Sequence, residues 1–303
     1  MQSGRFKDVA IDHGIQKWRN CISREFPLYA REDDIRTEFA RDFSRILHCT
    51  AYRRLKHKTQ VFFATTNDHI CTRIEHVNHV SSISHTIAKF MGLNTELTSA
   101  IAIGHDLGHA PFGHAGEDYI KEIAADELGD QFWHEKNSLR FVDYCETLEA
   151  PSGKHNNLNL TYAVRDGIIS HCGEVDENAL YPRDEFMDLN TIARPNEYKP
   201  YTWEGCIVKI SDKIAYLGRD IEDALTLKIL SRPQLKELSS LVKEHGKYKF
   251  REINNTFVIH KLIIDLCENS LSGPLCQDNK GSSLRWSPIK PQRNGAAPVS
   301  TSP

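Results

Sequence analysis

The sequence predicts an all-α fold, and three observations carry that expectation. Apolar residues recur at steps of three and four over long segments, strand signals are few, and stop or cap residues fall where the periodic runs end and begin. From Thr72 to Met91, Ile74, Val77, Val80, Ile83, Ile87 and Met91 mark one helix face, with Gly92 as the stop. Asn94 or Thr95 caps the next helix, which carries Leu97, Ala100, Ile101 and Ile103 and must end near Gly108, because Pro111 follows. A third helix is expected over 134–148, where Leu139, Val142 and Cys145 are helically spaced. The clearest run is Ile207, Ile210, Ile214, Leu217, Ile221 and Leu225. The segment 235–267 has room for two more helices. Thr59 to Ala64 reads as a short hairpin arm, and 150–160 (APSGKHNNLNL) as a loop. The stretch 273–303 is rich in Ser, Pro, Gly, Asn and Gln without apolar periodicity, and is read as a disordered tail.

The bulk numbers narrow the function classes. A chain of 303 residues, 40% hydrophobic, can bury one large core or two smaller ones. A formal net charge of -3 does not announce a nucleic-acid binder. There is no apolar run of membrane-spanning length, and the polar stretch Met1 to Val9 has no signal-peptide core, so a cytoplasmic protein without membrane contact is expected. The eight cysteines are scattered with no CxxC pair, which reads as reduced thiols.

The chemistry concentrates at His105-Asp106. A His-Asp dipeptide alone is weak, but this one sits in the last turn of a helix and is followed by His109 and His114, around a helix end loosened by Gly108, Pro111 and Gly113. Imidazole and carboxylate together suit a divalent transition metal. His76 on the neighbouring helix is a third candidate ligand, though a lone histidine there would more often be a surface residue. The fourth is Asp212, which interrupts a strongly apolar helix between Ile210 and Ile214. Asp212, Tyr216 and Asp220 stand at i, i+4 and i+8, so they line one stripe. Such a stripe on a largely buried helix is costly unless it faces a polar cavity or an ion; the plainer reading is a partly exposed polar edge.

These residues reproduce the H…HD…D signature of HD-domain phosphohydrolases. The segments 41–62 (RDFSRILHCTAYRRLKHKTQVF), 72–76 (TRIEH), 102–117 (AIGHDLGHAPFGHAGE) and 210–225 (ISDKIAYLGRDIEDAL) resemble the deoxyguanosinetriphosphate triphosphohydrolase-like family. The resemblance runs over about residues 35–270 and fades after Leu266-Cys267. It implies a helical HD-type triphosphohydrolase domain over 1–272, with an HD core over about 70–225 and the tail beyond. His76, His105, Asp106 and Asp212 would hold one metal. His114 and Glu117 match the family's catalytic histidine and its acidic partner, and His109 and His134 match further active-site histidines facing the phosphates. Arg73 and Lys213 match phosphate-side cations. Tyr216 and Asp220 match residues packing on the sugar and its 3′-hydroxyl, and Gln60 and Val61 match a deoxyribose-facing pair.

The implied reaction is hydrolysis of a deoxynucleoside triphosphate at the α-phosphate, giving deoxynucleoside and intact triphosphate. Two imidazoles among four ligands favour Mn²⁺ or Fe²⁺ over Mg²⁺, which prefers oxygen. His114, oriented by Glu117, is the expected general acid for the 5′-oxygen. The basic run Arg53-Arg54-Leu55-Lys56-His57-Lys58 reads either as a solvated face or as a contact for an activating nucleotide or single-stranded nucleic acid at the interface of a homo-oligomer. Two alternatives stay open: an HD phosphohydrolase acting on another nucleotide, and a nucleotide sensor or single-stranded nucleic-acid binder with vestigial chemistry.

Overall fold

The computed structural model describes residues 4–29, 33–60, 70–172, 179–231, 255–270 and 284–285, with five positions between 233 and 240 and only the main chain at His114 and Arg285. Val61 and most of the expected tail lie outside these residues. The helices are α1 (Trp18–Cys21), α2 (Glu38–His48), α3 (Thr50–Arg54), α4 (Arg73–Met91), α5 (Thr95–Gly104), α6 (Gly113–Ile123), α7 (His134–Arg140), α8 (Tyr162–Ser170), α9 (Trp203–Thr226) and α10 (Asn255–Ser270). The described fold is all-α apart from two small two-stranded ribbons. Among the described residues no helix is long and apolar enough to cross a membrane.

Local chemistry sets the principal boundaries. α4 opens with a capping box: Thr72 N donates to Glu75 Oε2 at 2.7 Å and the Thr72 side chain accepts from the helix. It stops at Gly92, whose φ of 85° is the left-handed conformation that glycine adopts without strain. The Asn94 side chain accepts from Glu96 N and Leu97 N at the start of α5. Thr202 Oγ1 accepts from Gly205 N at the start of α9.

α5 is the axle of the core. Leu97, Ala100, Ile101, Ala102 and Ile103 are buried, and the helix packs against α2, α4, α8 and α9. An N-terminal arm closes one end of the layer. Gly4 N and Phe6 N donate to the carbonyls of Phe90 and Met91, each at 2.8 Å, which occupies acceptors that the last turn of α4 leaves over. The Phe6 ring meets Trp203 edge-on at 5.0 Å. Glu204, buried at the head of α9, accepts from Ile11 N at 3.1 Å and Asn94 N at 2.9 Å.

Two expectations are corrected. The helix over 134–148 ends at Arg140, widens through Phe141–Cys145, and gives way to strand β1 (Thr147–Glu149). β1 pairs antiparallel with β2 (His155–Asn157), inside the expected loop 150–160. The polar run around Asn156 and Asn157 carries no strand-like alternation; a tertiary bond from Asn157 Nδ2 to the Asp143 carbonyl, 2.7 Å, helps hold the hairpin. Of the tail, Leu284–Arg285 form β4 and pair with β3 (Ala179–Leu180), and Leu284 is fully buried. Of the expected arm 59–64, residues 61–64 lie outside the described residues; the described part pairs with 71–73, where Gln60 N donates to Cys71 O and Arg73 N to Lys58 O.

Candidate metal centre and active site

The His-Asp pair is presented by the end of α5 and held by α7. Ser138 Oγ donates to the His105 carbonyl and accepts from Gly108 N, both at 2.8 Å, while Asn137 Nδ2 donates to the Gly108 carbonyl at 2.7 Å. Side chains of α7 thus satisfy main-chain groups that the ending helix would otherwise bury unpaired.

His105 is fully buried, and its Nδ1 lies 2.6 Å from the Ala102 carbonyl. A carbonyl only accepts, so Nδ1 carries the proton and Nε2 presents a lone pair. That Nε2 is buried without a hydrogen-bond partner, 3.6 Å from Asp106 Oδ2 and 3.7 Å from Asp212 Oδ1. His76 Nε2 lies 2.8 Å from the same Asp212 oxygen. An oriented imidazole lone pair facing two carboxylates and a second imidazole suits a divalent cation, and the carbonyl behind His105 is the usual outer support of a ligating histidine. The residues present fit one.

Arg73 backs the centre. Its Nη1 donates to Asp106 Oδ2 at 2.6 Å and its Nη2 to the Gln60 carbonyl at 2.9 Å. Burial alone would raise the Asp106 carboxyl, but Arg73 and the surrounding histidines hold it well below the ordinary range. Asp212 follows the same pattern: burial opposes ionisation, and the hydrogen bond and charges from His76 and His105 overcome it.

Beside this centre lies a second polar group. The His109 and His134 rings are 4.8 Å apart, and His134 Nδ1 is 3.4 Å from both Glu117 Oε2 and Glu135 Oε2. Burial and then Arg73 push His109 down to about 3. Burial also works against a charged His134, yet its contacts with Cys172, Glu117 and Glu135 raise it well above the usual imidazole value. Glu117, opposed by burial, is drawn down to about 2 by His134. Farther along α9, Tyr216 and Asp220 are partly buried on the helix that carries Asp212, and Asp220 Oδ1 has no hydrogen-bond partner. Lys213 is half-buried beside Asp212.

The structure therefore brings together His76, His105, Asp106 and Asp212, with Arg73 against Asp106 and the group of His109, Glu117 and His134 alongside. His114 lies in the first turn of α6, and its side chain, like Val61, is outside the described residues. Gln60 contributes its carbonyl to Arg73. The sequence reading set Lys58 in a solvated or interface-facing basic run and missed its place here: its Nζ donates to the His109 carbonyl at 2.5 Å, and burial lowers it to about 8. It also missed His171, 1% exposed, whose ring is 4.8 Å from that of His105. One signal was available: His171 stands at the end of a helix-length segment, two residues after the apolar pair Ile168-Ile169, as His105 stands two residues after Ile103.

A family model described as the HD domain matches residues 73–217, an interval containing all four candidate ligands. The chain carries an HD-domain-like helical fold. It is related to proteins named deoxyguanosinetriphosphate triphosphohydrolase-like protein. One from Caldanaerobacter subterraneus subsp. tengcongensis is 40% identical over 257 residues, 83% of this chain and 63% of that protein. One from Desulfatibacillum aliphaticivorans is 42% identical over 201 residues, covering 66% and 51%. One from Rickettsia felis is 34% identical over 269 residues, covering 86% and 65%. The chain thus spans between half and two thirds of these relatives' lengths. A solved structure of the L. monocytogenes phosphodiesterase PgpH HD domain aligns at a TM-score of 0.29 and 13% identity, over 66% of this chain and 92% of that one; a likeness of that size bears on neither fold nor site.

Proposed function

We propose that this chain hydrolyses deoxynucleoside triphosphates to deoxynucleoside and inorganic triphosphate, with one divalent cation, Mn²⁺ or Fe²⁺, held by His76, His105, Asp106 and Asp212. The observation that carries the reading is the buried, unpartnered Nε2 of His105 facing Asp106 and Asp212, with His76 on the same Asp212 oxygen. The named relatives supply the substrate class. A cation bound there supplies Lewis-acid stabilisation of charge at the α-phosphate.

The chain's own groups do the rest. Arg73 holds Asp106 ionised and adds positive charge beside the reacting phosphate; Lys213 adds a second cation. His134, its ring beside that of His109 and its Nδ1 facing Glu117 and Glu135, lines the phosphate side. His114, four residues from the HD turn's Ala110 on α6, is the general acid in this reading, with Glu117 one turn farther along the same helix. Tyr216 and Gln60 with Val61 form the sugar side, and Asp220 accepts from the 3′-hydroxyl.

The test is product analysis with each deoxynucleoside triphosphate and Mn²⁺, beside metal analysis of His105→Ala. Inorganic triphosphate is the expected product, and the variant should lose both its metal and its turnover, because an incomplete ligand shell binds poorly. Release of pyrophosphate or of single phosphates would point to another nucleotide hydrolysis. Full metal occupancy in the variant would overturn the ligand assignment.

A further inference from the structure

We propose that His134, His171 and Cys172 form a second cation site adjoining the first, of the class that takes a thiophilic divalent ion such as Zn²⁺. Ligand-type atoms of the three lie within 4.8 Å of one another. Around a tetrahedral ion bonded at about 2.1–2.3 Å, such atoms stand roughly 3.4–3.7 Å apart, so side-chain adjustments of about an ångström or less complete the geometry.

His171 is oriented as His105 is. Its Nδ1 is 2.7 Å from the Ile168 carbonyl, which leaves Nε2 as the lone-pair atom, and that Nε2 is buried without a hydrogen-bond partner. His134 likewise has Nδ1 buried without a hydrogen bond, although two carboxylates stand 3.4 Å away. The His171 nitrogen, hidden from water and left unpaired, is expensive unless something binds it, and a cation bound between the two rings would displace the proton that the carboxylates favour on His134. The main chain at Cys172 is also fixed. Lys209, 1% exposed, donates from Nζ to the carbonyls of Ser170 and Cys172 and to Asn196 Oδ1, so the thiol follows His171 out of α8 at a defined place.

The site is contiguous with the first. The His105 and His171 rings are 4.8 Å apart, and His105, Asp106 and His171 themselves form a close ligand group. The donor sets differ, however: imidazole and carboxylate at the first, imidazole and thiol at the second. Thiolate selects softer ions, so the two positions should discriminate between metals. The inference goes beyond the hydrolase reading and does not depend on the substrate.

Cobalt is the probe, because a cobalt–thiolate bond absorbs in the near ultraviolet where imidazole and carboxylate complexes do not. The metal-stripped full-length chain, titrated with Co²⁺ without nucleotide, should bind two ions and develop that band. Cys172→Ser should lose the band and retain one ion; His171→Ala should also fall from two ions to one. One ion in the parent protein, or a band that survives Cys172→Ser, overturns the proposal. The parent titration decides the matter even if a variant fails to fold. A chain with two cobalt ions that hydrolyses no deoxynucleotide would sink the substrate assignment and leave this one standing.

Discussion

Asp220 is a carboxyl whose charge is finely poised. Burial pushes it up to about 6, with Asp223 adding to the rise and His76 opposing it. Only the ionised form is a strong acceptor for a sugar hydroxyl, so deoxynucleotide binding should tighten as pH climbs through about 6. A hydrogen bond to a charged group contributes about 1.5–3 kcal/mol, so Asp220→Ala should raise KM about 10- to 100-fold for 3′-hydroxyl substrates and leave 3′-deoxy analogues nearly unaffected. Tyr216→Ala should narrow the rate gap between GTP and dGTP. Parent-like ratios in both variants, with lowered melting temperatures, would make the pair structural. At this scale the site was legible where chemistry is dense in sequence: His105 and Asp106 are adjacent, and Asp212 breaks an apolar helix. His171 escaped because it stands far in sequence from the other candidate ligands, and only the fold sets it against His105.

The element that disciplines the site is α7, through its seam with the HD turn. A Cβ added at Gly108 would lie 2.1 Å from Ser138 N and 2.4 Å from Asn137 C, both main-chain atoms that cannot swing aside. Gly108→Ala should therefore push α7 off the turn, release the Ser138 bond to His105, and cost about 3 kcal/mol. For a domain of this size that is a fall of roughly 6–12 °C in melting temperature, with weakened metal binding. A parent-like melting curve and full metal content would show that the seam yields. α4, α5 and α9 were readable because each pairs an apolar face with a cap or stop. α8 was not: Tyr162, Ala163, Val164, Asp166, Gly167, Ile168 and Ile169 are all buried, so no polar face marks its period. The β1–β2 hairpin was hidden for the opposite reason, being polar along most of its length.

For the whole molecule, Glu204 ties the N-terminal arm and the head of α5 to α9. Burial, against the two main-chain bonds it accepts, raises its carboxyl from 4.5 to about 7. Between those values the folded chain keeps a proton that the unfolded chain has lost. The resulting stabilisation is full below pH 4.5 and disappears as pH rises through 7; its size is roughly 3 kcal/mol. Glu204→Gln keeps an oxygen acceptor without the ionisation. Its melting temperature relative to the parent should therefore climb between pH 5 and pH 8. Parallel curves would show that Glu204 does not titrate in this window.

The same arm bears on where this chain can be cut. Residues 73–217 look like a self-sufficient unit when only the family match is considered. A fragment with those boundaries would lose the donors that Gly4 and Phe6 give to Phe90 and Met91, and the Phe6 ring that shields Trp203. It would also lose the Ile11 amide, leaving Glu204 with one of its two donors. The four candidate metal ligands would all be present, but α9 would be cut short and the fragment would be open to solvent at the end of α4 and the head of α9. The workable excision boundary lies upstream of Gly4, far outside the segment that carries the ligands.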